Sequence, residues 1–376
     1  MNYTVWLQLC LGAGYKHIAE VFKTFGNAQN VYNASYKDLL LSKLFTKNEL
    51  KKLSTTNIMS AEDILSYCKK NNIQIIPYGS ENYPKCLSSI TDPPILLYVK
   101  GELPNFDETP TVAIVGPRKV SEFGKKCAYS LGYRLGKAGM IVVSGGALGA
   151  DTYAHVGALK SGGKTVLVMG CGIDYNYLEE NKTLREKVAK NGCLISEHPP
   201  LMGITKYTFP IRNRLISALS LGTVVVEASN RSGALLTANH ANEQGRDVFV
   251  IPGSPEQKQY KGSNALLRDG AKPLLDTSDI FNEYIVRFPD KIDIEKAYEK
   301  PKEKKDTKIS KKNIPETLSK EAKIVYNCLD KEKFYPEELN VNLESSQLLS
   351  ALTELEMEFI IEALPGGQYR LVNQRR

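Results

Sequence analysis

The sequence predicts an α/β protein: a Rossmann-like, doubly wound parallel sheet with a helical domain before it and a winged-helix-like domain after it. Three observations carry this expectation. Short apolar runs (TVAIV, MIVVS, KTVLVM, CLIS, TVVVEA and DVFVIP) alternate with helix-length segments between residues 111 and 252. Residues 1–70 show helical periodicity with glycine breaks and no such runs. The C-terminal part returns to helical periodicity and closes on a strand pair around Pro-Gly-Gly.

The runs after residue 111 are apolar at nearly every position, so each strand must be covered on both faces, which a parallel sheet with crossover helices achieves. Helices are expected from about Ser121 to Ala138, then over Ala150–Lys160, Glu179–Lys190, Arg212–Leu219 and Ala234–Gln244. The first 70 residues suit a small SAM-like or helix-hairpin-helix-like domain. Its Gly-x-Gly turn in LGAGYKHIAEVFKTFG reads either as a DNA phosphate clamp or as a plain αα-hairpin. Its only cations are Lys16, His17 and Lys23, which favours the hairpin. Residues 71–285 form the Rossmann-like domain. Residues 286–317, rich in Lys and Glu, read as a flexible charged linker. Residues 318–376 read as winged-helix-like, but SSQLLSALTELEME holds no Lys or Arg and so suits protein contacts better than DNA.

The chain has 376 residues and a formal charge of +7, a mild bias toward a polyanionic partner. Its seven cysteines include no Cys-x-x-Cys pair, and with four histidines they argue against a disulfide framework or structural zinc. No metal or cofactor is expected. No stretch approaches a membrane span, and MNYTVWLQLCLGAG lacks the basic start of a signal peptide, so a cytoplasmic location is expected.

Ligands of open parallel sheets bind at the carboxyl ends of the strands, and every loop there contains Gly, Ser or Arg. The Gly-x-Gly-x-x-Gly fingerprint is absent after the first strand, where VGPRKV stands, and no Gly-x-x-x-x-Gly-Lys-Ser/Thr loop occurs. Bound dinucleotide and P-loop chemistry are therefore disfavoured. Arg118, Lys206, Arg212 and Arg214, with Lys119 and Arg231 as lesser members, project to this edge. Tyr207 and Phe209 interleave as stacking faces, a combination suited to single-stranded nucleic acid. Arg214 is equally readable as a brace. Asp151 and His155, one helical turn apart, form either a catalytic dyad or, as we favour, a structural pair. Glu197 and Glu227 are read as partners of Arg118, Arg212 or Arg214 rather than as acids or bases.

Taken in order, VAIVGPR, SGGALGADTYAH, VLVMGCGIDYNYLEEN, LISEHPP, FPIRNRLISALS, VVVEASNRSGALLTANHANEQGRDVFVIPG and GSNALLRDGAK resemble the DNA-processing protein A (DprA/Smf) family over roughly residues 70–285. The resemblance implies a non-catalytic protein that binds single-stranded DNA, dimerises through the Rossmann-like domain and loads RecA recombinase during natural transformation. It implies that Arg118, Lys206 and Phe209 are the main DNA contacts. Gly116, Ser144, Gly145, Arg212 and Asn213 would shape the pocket and supply further phosphate contacts, and Leu267 and Leu274 would lie at the dimer interface. Pro117, Gly146, Leu148 and Leu178 depart from the family's usual residues. Two other readings stand beside this one: a nucleotide-processing enzyme of the phosphoribohydrolase type using Glu227, and a protein-interaction scaffold.

Overall fold

Apolar runs of four or five residues, each closed by a turn-forming segment, build the central strands of the computed structural model, which describes residues 1–299, 318–329, 331–358, 360–364 and 368–371. The strands are β1 (Gln74–Pro77), β2 (Leu96–Gly101), β3 (Thr111–Val115), β4 (Ile141–Ser144), β5 (Thr165–Val168), β6 (Gly192–Ser196), β7 (Gly222–Val225), β8 (Asp247–Val250) and β9 (Lys272–Pro273). They form one sheet in the order β1-β2-β6-β5-β4-β3-β7-β8-β9. From β6 to β9 all neighbours are parallel. The hairpin of β1 and β2 adds an antiparallel edge beside β6. The chain winds outward from β3 to β6 on one side and from β7 to β9 on the other, so the topological switch point lies between β3 and β7.

Alternate residues of each strand feed two cores, as the period-2 geometry of a strand demands. Ala113, Val115, Val143, Val168, Ile195 and Val225 meet Leu215, Ala234 and Ala238 of the helices Thr208–Ala218 and Gly233–Glu243, and Leu219 just after the first. Val112, Ile114, Val142, Val224 and Phe249 meet the helices Glu122–Lys137 and Ala150–Lys160 on the other face. Those two helices approach backbone to backbone. A Cβ at Gly132 would overlap Ala154 O, and one at Gly157 would overlap Tyr129 O. Helix boundaries agree with the sequence expectation to a residue or so, with two exceptions. The segment expected as Glu179–Lys190 opens with a 3-10 turn, Glu179–Asn181, before the α-helix Lys182–Lys190. The helix expected from Arg212 begins at Thr208.

Six helices between Asn2–Leu11 and Met59–Lys70 bury Trp6, Leu7, Ile18, Val31 and Leu50 among themselves. Trp6 Nε1 donates to Thr56 O at 2.9 Å, and the helix Lys47–Thr55 opens on a Thr46/Glu49 capping box. This region shares one compact unit with the sheet, which also takes in residues up to 297. Residues 286–299, expected in the linker, contribute Phe288, Ile292 and Ala297 to the core, with Ile294 packed against it, because FPDKIDIEKA scatters apolar residues among its charges. The rest of the expected linker, 300–317, lies outside the described residues. A second unit contains residues 176–187 and the chain from 298. It holds the helices Lys320–Asn327 and Ser345–Met357, a 3-10 turn Pro336–Glu338, and three short antiparallel strands around Phe334, Leu352, Leu355 and Ile361. The expected Pro-Gly-Gly turn at 365–367 lies outside the described residues.

The glycine contact makes a packing prediction. Gly132→Ala and Gly157→Ala should each destabilise the protein by ~1–3 kcal/mol through overpacking. Gly233→Ala, where nothing stands within 4 Å, should be neutral within ~0.5 kcal/mol. Denaturant midpoints of the three variants check this.

Candidate nucleic-acid interface

The loops after β3 and β4 pack on each other before they face anything else. Ala150 N–H donates to Pro117 O at 3.3 Å. A Cβ on Gly116 would sit 2.5 Å from Ala150 Cβ, and Gly149, at φ 85°, lies against the carbonyls of Pro117 and Arg118. Ser144 is buried and its hydroxyl donates to Ile114 O at 2.6 Å, so it finishes the β3–β4 junction. Asp151 pins the second loop by accepting the N–H groups of Gly145 (3.1 Å) and Ala147 (3.3 Å). Burial raises its pKa above the usual carboxylate value, opposed by Arg212 and by these donors. His155 turns away, its Nδ1 2.7 Å from Thr165 Oγ1. Asp151 and His155 are therefore separate structural groups.

FPIRNR enters the helix Thr208–Ala218 from its first turn, four residues earlier than the sequence implies. Pro210 is accommodated because the first turn leaves its N–H groups without intrahelical acceptors and the ring's fixed φ suits a helix. Arg212 and Asn213 thus lie within the helix rather than at its mouth, which removes their N–H groups as phosphate donors. Arg212 is 5% exposed and points inward. Its Nη1 donates to Gly145 O at 2.7 Å and also to Val168 O, tying the ends of β4 and β5 together. Gly145 makes room, since a Cβ there would stand 2.6 Å from the guanidinium. Arg212 Nε donates to Asn213 Oδ1 at 3.1 Å, and Asn213 Nδ2 lies 3.5 Å from Gly233 O.

Phe209 rests on Gly170, where a Cβ would come within 2.6 Å of the ring. The guanidinium carbons of Arg118 and Arg212 lie 5.6 and 5.7 Å from its centroid, so the ring couples an exposed cation to a buried one. Lys206 is exposed, with Nζ 4.9 Å from the ring centre of Tyr207, itself 62% exposed. Lys119 and Arg231 are exposed on the loops after β3 and β7.

Arg214 is the brace. Its side chain is 3% exposed, with Nη2 2.6 Å from Glu197 Oε2 and Nε 2.9 Å from Asp92 Oδ2. Glu197 Oε1 accepts the N–H of Gly14 at 2.9 Å, and Glu197 O accepts Gln8 Nε2 at 2.7 Å. The Gly-x-Gly turn of the helical region therefore spends its Gly14 donor on an internal carboxylate. Sequence spacing gave no signal for Asp92, Gln8 or Gly14 as partners of this pair.

Glu227 departs from expectation. It is fully buried and takes no arginine. Instead it accepts Ser121 N–H at 3.1 Å, the Ser121 hydroxyl, and Tyr260 Oη at 3.1 Å. Leu274 is 4% exposed within a core, whereas its neighbour Leu275 is 81% exposed. Leu267 is half-buried against the other core. Among the described residues no group of His, Cys, Asp and Glu could hold a metal, and no helix is long and apolar enough to cross a membrane.

A doubly wound domain with exposed cations and aromatic rings at the carboxyl ends of its strands, and with Glu197 and Glu227 turned inward, places the protein in the Rossmann-like class. Comparison with known proteins narrows the class. The family model for DNA recombination-mediator protein A matches residues 74–285. The DNA processing protein DprA of Bacillus subtilis is 39% identical over 220 residues, spanning 58% of this chain and 74% of that protein. The X-ray structure of DNA processing protein A from Streptococcus pneumoniae superposes with a TM-score of 0.67 at 31% identity, over 75% of this chain and 98% of that one. DNA processing protein A from Helicobacter pylori, whose structure addresses its unique single-stranded DNA binding mode, gives a TM-score of 0.52 at 31% identity over 58% of this chain and 98% of its own. The chain belongs to the DNA recombination-mediator protein A family.

Two stability predictions follow from the buried charges. Arg214→Met leaves Glu197 buried without its cation and should cost ~3–5 kcal/mol, with Arg214→Met/Glu197→Gln recovering part of that in a chemical denaturation series. The second concerns pH. Burial and the nearby positive charge lower His155 to about 3, and burial with Arg214 and Arg212 lowers His198 to about 4. Both stay neutral in the fold while the unfolded chain protonates near its ordinary value of 6.5. Each therefore removes stability as pH falls from ~6.5 toward its folded value, by up to ~1.4 kcal/mol per pH unit. Asp151, raised, contributes with the opposite sign. His155→Gln should flatten the loss between pH 6.5 and 4.5 relative to wild type, read from urea midpoints.

Proposed function

We propose that this protein binds single-stranded DNA at the switch-point edge and acts as a recombination mediator, shielding the strand and passing it to a RecA-type recombinase during natural transformation. The observation that carries this reading is the exposed Arg118 and Lys206 flanking Phe209 and Tyr207 at the carboxyl ends of β3 and β6, beside a protein-built frame that consumes Arg212 and Arg214. Cations contact phosphates regardless of base, and aromatic faces accept any base, so binding is sequence-tolerant. Tyr207 is the more open ring for stacking, while Phe209 is partly enclosed by its two arginines. Family membership and the single-stranded DNA binding mode of the Helicobacter pylori relative support the same reading.

The protein acts in the cytoplasm by binding rather than by catalysis. Glu227, on which a nucleotide hydrolase would depend, already accepts three hydrogen bonds from Ser121 and Tyr260, which supports a structural role for it. It works as a homodimer through the β9 side of the Rossmann-like domain. There Leu275, rather than the buried Leu274, offers apolar surface to a second copy, and the half-buried Leu267 is a further candidate contact. The C-terminal unit is a winged helix whose helix Ser345–Met357, without Lys or Arg, serves protein contacts.

Titration of labelled oligothymidylate at several salt concentrations tests the DNA reading. Arg118→Ala and Lys206→Ala should each weaken binding and reduce the magnitude of the log K against log salt slope by ~0.7. Slopes identical to wild type in both variants would refute the assignment of these cations to phosphate contacts.

A further inference from the structure

The buried carboxylate of Glu227 does more than fill the core: it gathers three loops that all carry exposed cations. Its Oε2 accepts Ser121 N–H, which fixes the loop holding Arg118 and Lys119. Its Oε1 accepts Tyr260 Oη, which fixes the 3-10 turn holding Lys258 and the helix start at Lys261. Glu227 itself leads into the loop with Arg231, and that loop is clamped to the Lys261 segment. Ala228 O accepts the N–H groups of Gly262 (2.8 Å) and Ser263 (3.0 Å), and a Cβ on Gly262 would lie 2.6 Å from Ser229 O.

Lys119, Arg231, Lys258 and Lys261 are exposed, and none forms an ion pair with a described residue. Cations elsewhere on the same domain are commonly matched, as in Lys100 with Asp174, Lys164 with Glu102, Arg134 with Asp276, and Lys272 with both Asp247 and Glu283. Glu256 is the one carboxylate in the loop between β8 and the helix Lys261–Arg268. The carboxylate best placed to neutralise the cluster, Glu227, is spent on hydroxyl and N–H donors beneath it. Gathering like charges on a shared frame raises the local potential and is unfavourable without a counter-ion.

We infer that Arg231, Lys258 and Lys261 form a second half of the phosphate track, on the β7–β8 side of the switch point. A single strand held by Lys206 and Arg118 then continues past Lys119 onto them. This inference rests on the single-stranded DNA reading proposed above and sets the length of strand that the domain engages. From β6 to β8 the edge crosses five strand spacings, ~24 Å at ~4.8 Å each. That matches about seven phosphates at the ~3.4 Å spacing of a B-form strand, and fewer in an extended one. A strand of four nucleotides therefore fits on the Arg118–Lys206 half alone, whereas one of twelve covers both halves.

The test compares the full-length protein with Arg231→Ala/Lys258→Ala/Lys261→Ala on oligothymidylates of four and twelve nucleotides, across a salt series, with circular dichroism and thermal melting to confirm the fold. The track predicts at least tenfold weaker binding of the twelve-mer, a salt slope smaller in magnitude by ~2, and unchanged binding of the four-mer. An unchanged twelve-mer slope, or equal losses at both lengths, would overturn it. Should wild type fail to bind the twelve-mer, the single-stranded DNA reading itself falls, whereas wild-type binding with an unaffected triple variant removes only the second half. Melting at or above the wild-type temperature is expected, since mutual repulsion is relieved.

Discussion

The two inward arginines of FPIRNR are the constraint on which the carboxyl edge of the sheet depends. Arg212 and Arg214 lie on one helix and are nearly inaccessible to solvent, yet they serve different neighbours. Arg212 reaches the carbonyls of Gly145 and Val168 and so holds the ends of β4 and β5, while Arg214 meets Glu197 and Asp92. Buried guanidinium groups survive only where acceptors face them, and here those are the strand-end carbonyls of Gly145 and Val168 for Arg212 and the carboxylates of Glu197 and Asp92 for Arg214. The same Glu197 that neutralises Arg214 accepts the Gly14 N–H and, through its carbonyl, Gln8, so one ion pair also fixes where the helical region sits on the sheet.

On the other side of the switch point the tie has the opposite sign. Glu227, buried and without a cation, is satisfied by Ser121 and Tyr260. A hydrogen-bonded carboxylate there fixes three loops without neutralising the cations they expose. The edge is thus divided in its construction: buried cations organise the β4–β6 half, and a buried anion organises the β3, β7 and β8 loops. Phe209 connects the buried frame with the outer surface, since it touches both the inward Arg212 and the outward Arg118. The outward guanidinium of Arg118 is in this way held by the same ring that packs on the buried frame.

The sheet, its parallel strands and the helices covering them were legible in the sequence, because near-continuous Val/Ile runs can be satisfied only by burial on both faces. The edge hairpin of β1 and β2 was less so, since IQIIP and LLYVKG carry no alternation that distinguishes a strand added at the edge from a buried connection. The start of the Thr208 helix was misplaced because proline normally marks a boundary, and only the first-turn exception admits it. The linker was set too early for a related reason: Phe288, Ile292 and Ala297 are sparse among charges, and sparse apolar residues enter a core only if a groove awaits them.

Residue types and their order were enough to determine the fold class and the family, because periodicity and motif order are properties of the chain itself. Which arginine faces solvent and which is a buried brace was decided only by tertiary structure. Arg118, Arg212 and Arg214 are chemically alike, and their roles depend on acceptors far away in sequence: Gly145, Val168, Asp92 and Glu197 for the inward pair, none of which adjoins FPIRNR. The same holds for Glu227 and Leu274, where one turn of strand or helix decides between surface and core. A side chain's direction is set by what packs around it, and that information is absent from local sequence.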